Sequence, residues 1–204
     1  MAEFSAKDVQ TLRQSTGVGM MDAKAALTEA DGDFDRAVSI LREKGLAASA
    51  KRAGREASDG TIGSYLHSQN DRDVQGVMVY LSSETDFVAK SDEFKEAAKD
   101  IAMHIAWGKP SYLSRDEVPA DVIAHETNII SKQAENEGKP AAVIPKIVEG
   151  RIEKFYAENV LLDQQFVKSD KFDGTVGELV KQMAAKMGEN IFIKAFARLA
   201  VGEE

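Results

Sequence analysis

Apolar residues recur along this chain in two periods, and the change from one to the other divides it. Near the N-terminus Val9 and Leu12 lie three residues apart, and Phe34, Ala37, Val38 and Leu41 follow the i, i+3, i+4, i+7 spacing of one helix face. Residues 5–45 read as three short helices. Ser5 is placed to cap the first, with Asp8 three residues later in the reciprocal position of a capping box. Thr16-Gly17-Val18-Gly19 ends it, since glycine permits the turn. The second helix turns Ala23, Ala26 and Leu27 inward, with Met20 or Met21 partly so. Asp33 is placed to cap the third, which Gly45 is expected to stop.

After an Ala- and Lys/Arg-rich stretch the period becomes two. Thr61–Leu66 and Val74–Leu81 read as strands, and the polar residues between them make a hairpin. Apolar residues of both parities in the second strand predict cover on both faces. Helical spacing then returns at Phe94, Ala97, Ile101 and Ile105. It continues over 119–137 and 141–159, which Gly138-Lys139-Pro140 joins into an antiparallel helical hairpin. Gln164-Gln165-Phe166-Val167 reads as an exposed loop, Thr175–Met187 as a helix and Ile191–Val201 as a last strand. The expectation is an α+β fold in which a mainly antiparallel sheet packs with helices. The divisions are a three-helix module over 1–46, a helical linker over 47–56 and a core over 57–204 that contains the helical hairpin 119–159.

Composition narrows the function. The chain of 204 residues carries a net charge of −8, with 43% hydrophobic residues. It is globular in composition and poorly suited to neutralising phosphates, so no direct nucleic-acid partner is expected. With no cysteine it has no disulfide, thiol nucleophile or thiolate metal ligand. Met-Ala-Glu-Phe-Ser lacks the features of a signal peptide, and no apolar run approaches the roughly 20 residues of a membrane span. The histidines His67, His104 and His125 are far apart and have no ligand at metal spacing. There is no Walker motif and no nucleophile elbow. No cofactor is expected, and the chain reads as a protein that acts by binding rather than by catalysis.

The candidate contact is Thr85-Asp86-Phe87-Val88-Ala89, on the connection from the second strand to the following helix. Loops held on a rigid scaffold are where binding residues gather. A Phe there either plugs its own core or projects toward another protein, and this segment alone leaves both open. A passive scaffold that recruits a partner through the three-helix module is the alternative to a factor that changes its partner's state.

The stretch from Leu12 to Leu27, LRQSTGVGMMDAKAAL, strongly resembles the N-terminal signature of the translation elongation factor Ts family, and Thr85-Asp86-Phe87-Val88-Ala89 its second signature. Ile101-Ala102-Met103-His104, and Val148-Glu149-Gly150-Arg151 leading to Lys154-Phe155, are similar to later parts of the family. The resemblance spans nearly the whole chain. It implies a guanine-nucleotide exchange factor for elongation factor Tu, with a ubiquitin-associated-like three-helix module at the N-terminus; the Met at position 1 favours a bacterial cytoplasm over an organelle as its place. It implies that Asp86 and Phe87 form a wedge beside the partner's magnesium and phosphate region, with Thr85 and Val88 shaping the loop. Leu12, Val18, Met20 and Met21 would carry the N-terminal contact, and His104 and Val167 would add to the core contact. For Leu12, a place in the helix core is an equal reading.

The chain also departs from the longer members, which carry two related core subdomains where this one has sequence for one. A homodimer that rebuilds the full core is therefore expected, two factors with two GTPases, and held without a disulfide. Gln165 stands before Phe166 where the family usually has proline, so the loop that carries Val167 lacks that constraint.

Overall fold

The computed structural model describes residues 4–16, 18–52 and 54–203, with side-chain surroundings at all of these but 46–51. Gly17, within the first signature, lies outside them. The described elements are α1 (Ala6–Thr16), α2 (Met20–Glu29), α3 (Phe34–Arg52), β1 (Asp59–Gln69), β2 (Arg72–Ser83), α4 (Asp86–Ala89), α5 (Asp92–Gly108), α6 (Ala120–Asn136), α7 (Ile144–Asn159), α8 (Val176–Met187) and β3 (Phe192–Ala200). The strands form one antiparallel sheet in the order β1-β2-β3, so the fold is α+β as expected.

The chain divides into two compact units. The first takes the residues up to Gly60 with Ser82–Val88 and Val180–Phe192, and the second takes the rest. In the first, α1–α3 close around Val9, Leu12, Ala23, Ala26, Leu27, Ala30, Ala37 and Leu41. Four of these eight are alanine, which lets short helices approach closely enough to exclude water. The Ser5–Asp8 capping box forms: the Asp8 amide donates to Ser5 Oγ (3.3 Å), and the Ser5 amide donates to Asp8 Oδ2 (2.7 Å). Asp33 caps α3 by accepting the Arg36 amide at 2.9 Å.

Gly45 does not stop α3, which runs on to Arg52. A glycine inside a helix costs only about 1 kcal/mol, and here it has a packing role. A Cβ at position 45 would meet the Ala185 Cβ at 3.2 Å. Arg52 then donates to the Ala184 carbonyl at 3.2 Å. The stretch expected as a linker is thus in part the last turns of α3, seated on the end of α8.

In the second unit the hairpin is tighter than the polar stretch suggested. The strands extend through His67–Gln69 and Arg72–Asp73, and the turn shrinks to Asn70-Asp71, both left-handed (φ 52 and 56). Two left-handed residues match the twist of the flanking strands, and backbone pairing does not require apolar side chains. Val77, Val79 and Leu81 of β2 are buried, whereas Met78 on the opposite parity is exposed. α5 turns Phe94, Ala98, Ile101, Ala102 and Ile105 inward. A Cβ at Gly63 of β1 would lie 2.2 Å from the Ala98 carbonyl oxygen, so glycine alone allows the strand to pass this close to the helix. α6 and α7 form the expected hairpin. At its base Arg115 bridges Glu153 (2.8 Å) and Asp163 (2.7 Å) and lies 4.5 Å from the Tyr156 ring centroid.

Candidate partner-binding site

Ser83 ends β2, and the chain turns at once into α4, a single turn of helix from Asp86 to Ala89. Thr85 sits at its start and accepts the Val88 amide through Oγ1 at 3.4 Å, while the Ser83 hydroxyl donates to the Thr85 carbonyl at 3.0 Å. Val88 and Ala89 are buried, and Asp86 and Phe87 face solvent. Phe87 is 83% exposed. It is not a core plug. Its buried neighbours fix the backbone of the turn while the ring projects outward, and a large ring held in water by so short an element gains from burial only against another molecule.

The turn is also held from outside. Glu189, in the connection from α8 to β3, accepts the Glu84 amide (3.0 Å), the Thr85 amide (3.2 Å) and the Thr85 hydroxyl (2.5 Å). Glu84 in return accepts the Asn190 amide at 2.6 Å, and the Asn190 side chain donates to the Arg55 carbonyl at 2.8 Å. Glu189 and Asn190 are more than a hundred positions from the turn, and no local pattern in the sequence marks them.

The remaining expected contact residues fall into two environments. Met20 and Met21, at the start of α2, are 48% and 76% exposed. Both face outward, contrary to the inward reading of one of them. Val18 is half-buried, and Leu12 is fully buried in the bundle core. His104 is also fully buried. The Val167 amide donates to its Nδ1 at 3.2 Å, so the ring proton must sit on Nε2, which donates to Gln164 Oε1 at 3.0 Å. The Gln164 amide nitrogen donates to the Gly108 (2.9 Å) and Glu158 (2.7 Å) carbonyls. Burial pushes the His104 imidazole below its ordinary value, against the opposing pull of Gln164, so the ring is neutral. The 164–167 segment is therefore not the exposed loop expected. Gln164 and Phe166 are buried, and the His104 and Phe166 rings are tilted with centroids 5.8 Å apart. Two adjacent glutamines read as surface residues, yet the polar atoms of Gln164 are satisfied inside. Asp100, one turn before His104, is buried too. Burial pushes its carboxyl up, and Lys168 (2.5 Å) and Lys171 (2.7 Å) outweigh that and hold it below the ordinary carboxylate range.

Among the described residues no group of three or more His, Cys, Asp or Glu side chains is placed to hold a metal ion, and no helix is long and apolar enough to cross a membrane. What the geometry offers is a presented aromatic and acid on one turn, and a pair of presented methionines on another.

Comparison with known proteins decides the family. The model of the family described as Elongation factor TS matches residues 23–203. The chain belongs to the elongation factor Ts family. It is 51% identical over 201 residues to Elongation factor Ts of Alkaliphilus oremlandii, covering 98% of this chain and 90% of that one. Elongation factor Ts of Caldanaerobacter subterraneus subsp. tengcongensis is 51% identical over 200 residues, with 98% of both chains covered. That of Fervidobacterium nodosum is 50% identical over 201 residues, with 98% of this chain and all of the relative covered. The chain is therefore similar in length to these members of the elongation factor Ts family. The span matched takes in the Thr85 turn, its Glu189 support and the His104 segment.

Proposed function

We propose that this chain is a guanine-nucleotide exchange factor for elongation factor Tu, working in the bacterial cytoplasm by binding and without catalysis of its own. The observation that carries this reading is Phe87, a solvent-facing ring on a one-turn helix anchored by Val88. Asp86 and Phe87 enter the partner beside its bound magnesium and phosphates, with the acid adding negative charge where the phosphates already concentrate it. The partner without nucleotide then becomes the form that binds tightest. Because coupling between two ligands is reciprocal, a factor that weakens nucleotide binding is itself weakened by the nucleotide, and GTP reloading releases it.

Burying the Phe87 ring contributes roughly 1.5–3 kcal/mol, a coupling of about ten- to hundred-fold. A single wedge of that size leaves room for a second anchor, which Met20 and Met21 of the 1–46 module supply. Methionine suits such a surface because its unbranched side chain adapts to the partner. Val18 borders that surface, and Leu12 serves it from the core by fixing α1 against α2. The 47–56 segment joins this anchor to the 57–204 core, and both anchors gain from the tether only if they engage together. His104 acts on the partner through Val167, whose amide it holds. A homodimer, two factors with two GTPases, completes the assembly. The open face of the sheet supports it, with Ile62, Leu66 and Met78 exposed.

The test is release of a fluorescent GDP from elongation factor Tu in excess unlabelled nucleotide. Substoichiometric amounts of this protein are expected to accelerate release. Phe87→Ala is expected to slow it by about an order of magnitude or more with an unchanged circular dichroism spectrum, since the ring supports nothing in its own fold. A folded protein that leaves release unchanged would instead be a recruiting scaffold built on the three-helix module.

A further inference from the structure

We propose that Glu189 is a positioning residue for the Phe87 turn, fixing the direction in which the ring is presented. The inference rests on the reading of Phe87 as the wedge and deepens it. Three donors converge on one carboxylate: the Glu84 amide and the Thr85 amide on Oε2, and the Thr85 hydroxyl on Oε1. They belong to the two residues that lead directly into α4. Both oxygens are used, so the carboxylate fixes its donors in plane as well as in distance. Bonds to an ionised acceptor are about twice as strong as neutral ones.

The geometry is reciprocal. Glu84 Oε1 accepts the Asn190 amide, so residues 84–85 and 189–190 each supply a carboxylate and at least one backbone amide to the other. Arg55 lies 3.6 Å from the same Glu84 oxygen, and its carbonyl accepts from the Asn190 side chain. Glu189 is itself aimed by the end of α8. Gly188 adopts a left-handed conformation (φ 75) and its amide returns to the Ala184 carbonyl at 3.1 Å, closing the helix and turning the chain toward residue 84.

The need for such a support follows from the size of the element it serves. One turn of helix has almost no hydrogen-bonded ladder of its own and is marginal in isolation. Val88 and Ala89 anchor the far side of the turn by burial, but apolar burial at one end does not set the direction of the other. Glu189 holds the near side at three points. The two restraints together fix both ends of a four-residue element, and Phe87 lies between them. Without Glu189 the ring samples several directions, and binding must order it at the moment of contact.

The experiment combines amide hydrogen exchange of the free protein with GDP release from elongation factor Tu, using Glu189→Ala, Glu189→Gln, Phe87→Ala and the Phe87→Ala/Glu189→Ala double variant. In Glu189→Ala the Glu84 and Thr85 amides are expected to lose protection while the α5 amides keep theirs. Maximal GDP release is expected to fall roughly tenfold, as a misplaced reactive group does. Glu189→Gln retains one carbonyl acceptor for Thr85 and is expected to recover part of the rate. The double variant is expected to be no slower than Phe87→Ala, because Glu189 acts through the ring. A merely structural role would not produce that non-additivity. Unchanged protection at residues 84 and 85 would overturn the inference whatever the release rates show. So would losses that multiply in the double variant, which would place Glu189's effect elsewhere. If Phe87→Ala exchanges at the full rate, the wedge reading itself fails, and the inference about what positions the wedge falls with it.

Discussion

Two adjacent side chains, Phe87 and Val88, show what burial decides at the scale of the residue. Phe87 is the larger and more apolar, yet it is exposed while Val88 is buried. Composition cannot predict that ordering; the register of one helical turn sets it. His104 makes the same point for polar groups. Its ring is enclosed and satisfied as a neutral Nε2–H tautomer, because the Val167 amide can only donate and so claims Nδ1 as an acceptor. Protonation would place a hydrogen on Nδ1, against the Val167 N–H. The ring's folded-state pKa is depressed below the ordinary 6.5, so below that value the unfolded chain binds the extra proton more readily than the folded one. His104 thus contributes stability that is complete above about pH 6.5 and is lost as the pH falls through the folded-state value. Urea unfolding at pH 7.5 and 5.5 is expected to show a drop for the native chain. In His104→Gln, which cannot titrate, the drop is expected to be smaller, even though that variant starts from lower stability at pH 7.5. Equal drops in the two proteins would assign the loss to other groups.

At the scale of elements, close approach rather than intrinsic preference explains where the sequence misleads. Gly45 looks like a helix stop and is a contact with α8. Gly63 is the place where β1 crosses the α5 backbone. Gly63→Ala is expected to lower stability by about 1–3 kcal/mol or more, because the clashing atom is a backbone carbonyl oxygen 2.2 Å away that no rotamer change can move. Thermal unfolding measures this, and a melting temperature within a degree of the parent would mean that strand and helix separate without cost. The three N-terminal helices, the hairpin of strands and the α6–α7 pair were legible because each rests on a local period and on local punctuation, a cap such as Ser5–Asp8 or Asp33 or a turn such as Asn70-Asp71 or Gly138. The Thr85 signature was legible as a candidate contact, but the outward direction of Phe87 was not, since a short connection has no period to reveal its face. Glu189 and the buried Gln164 were illegible for a different reason. Their partners lie 104 and 60 positions away in sequence, and a carboxylate or carboxamide that binds at such range looks like any surface side chain.

On the scale of the whole molecule, two exposed apolar surfaces among the described residues carry separate predictions. Met20 and Met21, exposed and separate from the Phe87 turn along the chain, are the second contact proposed above. Replacing both by alanine is expected to weaken binding to elongation factor Tu by about tenfold. Titration calorimetry measures that, and circular dichroism should be unaltered because neither side chain belongs to the buried core of the bundle. The open face of the sheet bears on assembly. The chain carries 34 Asp and Glu residues. Yet Ile62, Ser64 and Leu66 of β1 and Gly76, Met78 and Tyr80 of β2 include no carboxylate. Leu66 lies beside Gly76, 3.3 Å from where a Cβ would stand, and Lys194 of β3 lies 5.2 Å from the Tyr80 ring centroid. An apolar face from which a strongly acidic chain has kept its acids is suited to meeting its own copy, where like charges would face each other across a two-fold axis. Sedimentation or light scattering at micromolar concentration is expected to give the mass of a dimer. Met78→Glu would bury two carboxylates per two-fold interface and is expected to raise the dimer dissociation constant at least about a hundredfold, giving a monomer that still folds, since Met78 is 56% exposed in the single chain. A native chain that stays monomeric would remove the dimer, and a Met78→Glu protein that stays dimeric would move it to another face.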